Sequence, residues 1–206
     1  MKTIMKYFPQ LTERQQEQLM ALDKLYHEWN ERINVVSRRD IDNLYEHHVL
    51  HSMAIAKAVS FRPGASVLDF GTGGGFPGVP LAILFPECRF TLIDGTGKKI
   101  RVAQEVVQAI GLGNCTPLHR RGEEEKGDYN YVVSRAVMPM PDLLRIVRKN
   151  VPATKPDGPR NAVICLKGGN LDEELRPLRN KVQLTEISTW FSEPWFNDKY
   201  VVYLPI

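Results

Sequence analysis

Residues 67–86 read VLDFGTGGGFPGVPLAILFP, and this stretch decides the fold. SVLDF at 66–70 is a short β-rich run that carries an acid, Asp69, one residue before its end. Five glycines then stand between positions 71 and 78, and an apolar, helix-like stretch at 77–85 follows behind two prolines. Glycine reaches positive φ at little cost and brings no Cβ, so the chain turns sharply and offers bare backbone to a ligand. Pro77 suits the first turn of a helix, where its missing N–H costs nothing. Strand, bare turn and helix in that order make the ligand-binding corner of an open α/β sheet, in which ligands sit beyond the carboxyl ends of the strands.

Downstream of this corner, strand and helix alternate. RFTLID at 89–94 reads as a strand, 98–111 as a helix, CTPLH at 115–119 and YVVSR at 131–135 as strands, and 140–150 as a helix. AVICLK at 162–167 is a strand and 171–179 a short helix. KVQLTEIST at 181–189 and KYVVYLP at 199–205 close the chain as two strands with no room for a helix between them. Alternation of this kind predicts a doubly wound, mostly parallel sheet. The closing pair adds an antiparallel hairpin, which makes seven strands in the Rossmann-like α/β arrangement of class I S-adenosylmethionine (SAM) methyltransferases. ATKPDGPR at 153–160 is expected to be a Pro-rich surface loop.

Upstream, the pattern is helical. Thr12 and Gln15 form a capping-box pair. Leu19, Leu22, Tyr26, Trp29, Ile33 and Val36 then recur at steps of three and four, which predicts a helix over 12–35. A second helix is expected from about Asp40 to Ser60, with Ile41, Leu44, Ile55 and Val59 facing inward. RPGA at 62–65 is a turn. The expected organisation is a helical N-terminal extension over 1–62 and a methyltransferase domain over 63–206.

The glycine spacing alone is ambiguous. Gly73, Gly75 and Gly78 fit the dinucleotide fingerprint GxGxxG, a weak signal by itself. Gly71, Gly73 and Gly75 fit the SAM pattern instead. Asp69 favours SAM, because an acid two residues before the first glycine ties down the loop and the amino end of that cofactor. Asp94 ends the second strand, where a carboxylate accepts hydrogen bonds from adenosine ribose hydroxyls in either class. Glycines serving only a tight turn remain a third reading. The chain's length leaves about one half-sheet beyond the cofactor half, whereas a dehydrogenase usually needs a further substrate domain.

The chain has 206 residues, 43% hydrophobic and 25% charged, the composition of an ordinary globular protein. Cys88, Cys115 and Cys165 lie far apart within or beside apolar runs, which predicts reduced buried thiols. No CxxC or Cys/His cluster suggests zinc, so no metal is expected. The N-terminus has no apolar signal core and no stretch approaches a membrane span, so a cytoplasmic protein without membrane contact is expected. A net charge of +3 is too small to establish nucleic-acid binding. The cations nevertheless cluster: Arg32, Arg38 and Arg39; Arg120 and Arg121; Arg145, Arg148 and Lys149. Solvated helix faces are the plainer reading of each.

A set of segments then carries a resemblance. NVVSRRD, EHHVLHS, VLDFGTGGGFPGVPLAILFP, FTLIDGTGKKIRV, RRGEEE, VVSRA and CLKGG occur in the order found in the RsmG (GidB) family, from about residue 30 to the C-terminus. These are bacterial SAM-dependent enzymes that methylate N7 of one guanine in the 530 loop of 16S rRNA. The resemblance implies that Gly71 and Phe76 line the cofactor pocket, that Asp94 holds the ribose, and that Gly122 and Glu123 sit at the adenine. It implies that Arg135 and Lys167, ending the fourth and fifth strands, carry the catalytic work in one cleft. It implies 16S rRNA or the small ribosomal subunit as partner; no stable protein partner is evident. His51 stands where the family often has an acid, and Asn130 where it usually has Asp.

Guanine N7 is an in-plane lone pair, so its methylation needs no proton removed and no general base. What remains is alignment of nucleophile, methyl carbon and sulfur, worth about 7–11 kcal/mol. Sulfonium and product are both cationic, so Arg135 is expected on the cofactor carboxylate, a phosphate or guanine O6, and Lys167 on a phosphate or O6, neither on N7. Arg32, Arg38, Arg39, His48, Arg120 and Lys149 are the expected RNA contacts. Two other readings stay open on the sequence: methylation of another acceptor, and a non-catalytic RNA-binding assembly factor of the same fold.

Overall fold

The computed structural model describes residues 1–154 and 160–206. Its strands are β1 (Ser66–Phe70), β2 (Arg89–Asp94), β3 (Cys115–His119), β4 (Tyr131–Arg135), β5 (Ala162–Gly168), β6 (Gln183–Glu186) and β7 (Lys199–Pro205). They form one sheet in the order β3-β2-β1-β4-β5-β7-β6. β1 to β5 run parallel, and β7 lies antiparallel between β5 and β6. The order reverses between β1 and β4, so a crevice opens at their carboxyl ends. The sequence reading of seven strands in this arrangement holds.

The helices are α1 (Lys2–Tyr7), α2 (Glu13–Asn30), α3 (His51–Met53), α4 (Ile55–Ala58), α5 (Gly78–Leu84), α6 (Gly97–Ala109), α7 (Met140–Val147) and α8 (Asp172–Leu175). Strand side chains alternate between faces, which divides the core into two clusters. Val67, Leu92, Val133, Ile164 and Val201 pack with Leu19, Leu22 and Tyr26 of α2, Val79 and Leu81 of α5, and Val102 and Val106 of α6. Leu68, Ile93, Val132, Val163 and Val202 pack with Leu143 and Val147 of α7 and Leu175 of α8. Residues of the expected N-terminal extension and of the sheet thus share the first cluster.

The capping box at Thr12 and Gln15 forms as expected. α2 stops at Asn30, however, although the apolar stripe runs on to Val36. The Asn30 side-chain carbonyl accepts the N–H groups of Val35 and Val36 at 2.9 and 3.0 Å, which folds the chain back and ends the helix. The expected helix over 40–60 is not uniform. It starts as a 3-10 turn at Ile41–Asn43, widens to a π-helix over Leu44–Leu50, and tightens to α3 and α4. Leu44 and Ile55 are buried, while Ile41 and Val59 are only half-buried. α1 was not expected. β6 covers only part of 181–189, and two 3-10 turns, Ile187–Thr189 and Pro194–Phe196, fit before β7. Of the expected Pro-rich loop, residues 155–159 lie outside the described residues.

Candidate functional site

Asp69 points to the same face as Val67 and is fully buried. Its Oδ2 accepts the Thr72 hydroxyl at 2.5 Å and the Gly78 N–H at 2.7 Å, so one carboxylate oxygen closes the glycine loop from both ends. Burial pushes the carboxyl up to about 7 against the pull of those two bonds. Its other oxygen, Oδ1, has no partner among the described residues. Gly71 has φ +69° and Gly73 φ +57°, the left-handed conformation expected of this loop. From α2, the buried Tyr26 hydroxyl donates to the Gly74 carbonyl at 2.8 Å and holds the loop from beneath.

Asp94 ends β2 beside this loop. Its Oδ2 accepts the Gly73 N–H at 3.0 Å and its Oδ1 the Thr96 N–H at 2.7 Å. A Cβ on Gly73 would meet nothing within 4 Å, so the loop shows its bare side to open space next to a half-exposed carboxylate. Phe76 is 3% exposed. Its ring lies 4.7 Å from Tyr26 and 5.5 Å from His48 between centroids, so it fills the base of the loop. Gly122 opens a 3-10 turn at Gly122–Glu124, and a Cβ there would come 2.0 Å from the Phe70 ring. Glu123 is exposed; the buried acid of RRGEEE is Glu125.

Parity separates the two expected catalytic cations. Arg135 follows Tyr131 and Val133 onto the α2 face, whereas Lys167 follows Val163 and Cys165 onto the α7–α8 face. The Arg135 guanidinium lies 5.2 Å from the Phe76 ring centroid and donates to His48 Nδ1 at 3.1 Å and to the His47 carbonyl at 3.4 Å. Desolvation lowers it to about 10, opposed by Asp69, Tyr26 and Asp40. Lys167 is 8% exposed, ion-paired with Glu174 at 2.7 Å, and donates to the Met138 carbonyl at 2.6 Å. Glu174 also accepts the Met140 N–H at 2.8 Å. This pair braces the segment after β4, where Ala136 takes φ +51° and the exposed Val137 leans over Gly71.

The expected RNA contacts fall into two groups. Arg32, Arg38 and Arg39 are exposed; Arg32 lies over the Trp29 ring and Arg38 bonds the Asn34 side chain at 3.3 Å. Three others are engaged within the fold. Arg120 pairs with the buried Glu125 at 2.6 Å, Lys149 donates to the Glu123 carbonyl at 2.6 Å, and His48 sits between Asp40 and Arg135. Asp40, Tyr26, Thr72 and Glu174 were missed. Asp40 read as a helix start and Tyr26 as core, and neither sequence context marks the contact.

A bare loop at positive φ, a carboxylate ending the second strand and an orphaned buried acid oxygen fit an adenosine-bearing cofactor at this corner. The solved structures agree on the fold. One is a SAM dependent methyltransferase from Aquifex aeolicus, at TM-score 0.59 and 17% identity over 83% of this chain and 99% of that one. Another is Aeropyrum pernix fibrillarin in complex with natively bound SAM, at TM-score 0.54 and 14% identity over 76% and 74%. Sheet order, antiparallel β7 and glycine corner together define the class: the Rossmann-like α/β fold of class I SAM-dependent methyltransferases. A family model described as rRNA small subunit methyltransferase G matches residues 15–194. Proteins named Ribosomal RNA small subunit methyltransferase G from Bacteroides fragilis and Bacteroides thetaiotaomicron are 55% and 56% identical over all 206 residues, each covered in full. The same-named protein of Flavobacterium johnsoniae is 51% identical, covering 100% of this chain and 98% of its own. The chain belongs to the rRNA small subunit methyltransferase G (GidB) family.

Proposed function

We propose that this protein transfers a methyl group from SAM to N7 of a guanine in the 530 loop of 16S rRNA. Family membership over most of the chain supports rRNA of the small subunit as the substrate. The bound cofactor supplies an electrophilic methyl group on a positively charged sulfur. Gly71, Gly73 and Asp94 would hold it at the carboxyl ends of β1 and β2, beside the crevice, with the carboxylate on the ribose hydroxyls. Asp69 keeps the loop closed through Thr72 and Gly78, so the backbone surface is fixed before the ligand arrives.

One observation carries the choice of a lone-pair acceptor such as N7. His48, the imidazole beside Arg135, has both ring nitrogens engaged: Nδ1 accepts from Arg135, and Nε2 is bonded to Asp40. Lys167 is turned to Glu174 and Met138 on the other face of the sheet. N7 attack asks for alignment alone, and alignment is what these residues provide. Arg135 holds an anionic group beside the crevice, while Lys167 acts at one remove by bracing the 136–140 segment. The A-form major groove is too deep and narrow to admit the site, so the target guanine is presented unpaired or extruded. The exposed Arg32, Arg38 and Arg39 carry RNA phosphates. The test is mass spectrometry of 16S rRNA from a deletion strain. One 7-methylguanine of the 530 loop is missing there and returns on complementation; an unchanged modification profile refutes the assignment.

A further inference from the structure

We infer that Asp40 and His48 are positioning residues that set Arg135 for methyl transfer, Asp40 acting through the tautomer of His48. The inference rests on the reading of Arg135 given above and goes beyond it. An arginine has only donors, so the 3.1 Å contact between its guanidinium and His48 Nδ1 requires that nitrogen to be unprotonated. The proton of a neutral His48 then sits on Nε2, which faces Asp40 Oδ2 at 2.7 Å. Asp40 is therefore the group that selects the tautomer, as a carboxylate does for an imidazole elsewhere. The other Asp40 oxygen takes His47 Nδ1 at 2.5 Å, and the His47 ring is stacked on Trp195 at 4.2 Å and 11°. Asp40 is thus pinned from a second side by a ring locked against the C-terminal part of the chain.

The geometry depends on the π-helix. Adjacent residues 47 and 48 both reach one carboxylate, while the His47 carbonyl takes a second Arg135 donor at 3.4 Å. π-turns of this kind are frequent at functional sites. The intermediary also has an electrostatic effect. A carboxylate placed directly on Arg135 would neutralise it, whereas the imidazole is an uncharged acceptor that leaves the guanidinium positive. With two N–H groups engaged by His47 and His48, the remaining donors and the whole charge stay available to an anionic group in the crevice.

Two measurements test this. Two-bond 1H–15N correlation of the histidine rings of the full chain is expected to show His48 unprotonated at Nδ1 and protonated at Nε2 at neutral pH. In Asp40→Asn that tautomer preference is expected to be lost or inverted. Methyl transfer to small-subunit RNA from a deletion strain is expected to fall at least tenfold in kcat in Asp40→Asn, with KM for SAM within twofold. His48→Asn, whose amide oxygen can stand in for Nδ1 toward Arg135, is expected to keep at least tenfold more turnover than His48→Phe. A wild-type His48 protonated at Nδ1, or equal turnover in the two His48 variants, overturns the inference. Unchanged turnover in Arg135→Ala overturns it as well, because it removes the role of Arg135 itself. Failure of the wild-type protein to methylate that RNA instead refutes the proposed function, and the ring spectra still decide the tautomer.

Discussion

Replacing Asp94 by Asn separates a loop brace from a cofactor ligand. The carboxylate accepts two N–H groups, from Gly73 at 3.0 Å and Thr96 at 2.7 Å, one on each oxygen. An Asn of the same shape offers one oxygen and one NH2, so one of the two N–H groups meets another donor. Hydrogen bonds to charged groups contribute about 1.5–3 kcal/mol each. Asp94 is half-exposed, so water can take over part of the lost bond, and the stability cost is expected at about 1 kcal/mol. In the proposed ribose contact, bound cofactor would exclude water and its hydroxyls would lose a charged acceptor. The full 1.5–3 kcal/mol then applies, which corresponds to roughly a 10- to 150-fold weaker Kd. Titration calorimetry with S-adenosylhomocysteine measures the affinity and urea unfolding the stability. Weakened binding with modest destabilisation supports the assignment. An unchanged Kd beside a lower urea midpoint would make Asp94 a structural residue only and refute the reasoning.

Three further substitutions probe other parts of the site. Gly122→Ala forces a methyl group to within 2.0 Å of the buried Phe70 ring, so unfolding experiments are expected to show a loss of about 1–3 kcal/mol, largely recovered in Gly122→Ala/Phe70→Leu; no recovery would deny the clash. Lys167→Met strands Glu174 and frees the Met138 carbonyl, so a loss of about 1–3 kcal/mol is expected with RNA affinity at the wild-type level, whereas a fall in RNA affinity alone would make Lys167 an RNA contact and not a brace. Asp69→Asn tests a sign. The folded carboxyl, pushed up to about 7 by burial, binds a proton that the unfolded chain, near 3.8, does not, so its contribution to stability is complete below pH 3.8 and lost as pH rises to 7. Removing it shifts the slope of stability against pH by about 1.4 kcal/mol per unit over that window, in favour of higher pH, and parallel wild-type and variant profiles would contradict the assignment.

The sheet and its corner were legible because their signals are local. Short β-rich runs marked each strand, and five glycines between positions 71 and 78 marked the loop. What escaped depends on contacts between residues far apart in sequence. The π-helix has no glycine or proline to announce it; the contacts it makes, Asp40 with two adjacent histidines and Trp195 stacked from the far end of the chain, join residues that no local pattern links. α2 ends early through a side chain that caps forward, at Asn30, where the apolar stripe says continue. The opposite faces of Arg135 and Lys167 follow from strand parity, but only once the register Arg135↔Leu166 is known. Arg120 and Lys149 read as free cations because their partners, Glu125 and the Glu123 carbonyl, lie in an irregular segment where no fixed spacing applies.

The most direct measurement is transfer of a labelled methyl group from SAM by the purified protein to 16S rRNA or small subunits from a deletion strain, followed by nuclease mapping. The account predicts one methyl group per 16S molecule, carried as 7-methylguanine in the 530 loop. Label at another atom or another nucleotide, or no transfer by folded protein that binds S-adenosylhomocysteine, would contradict it.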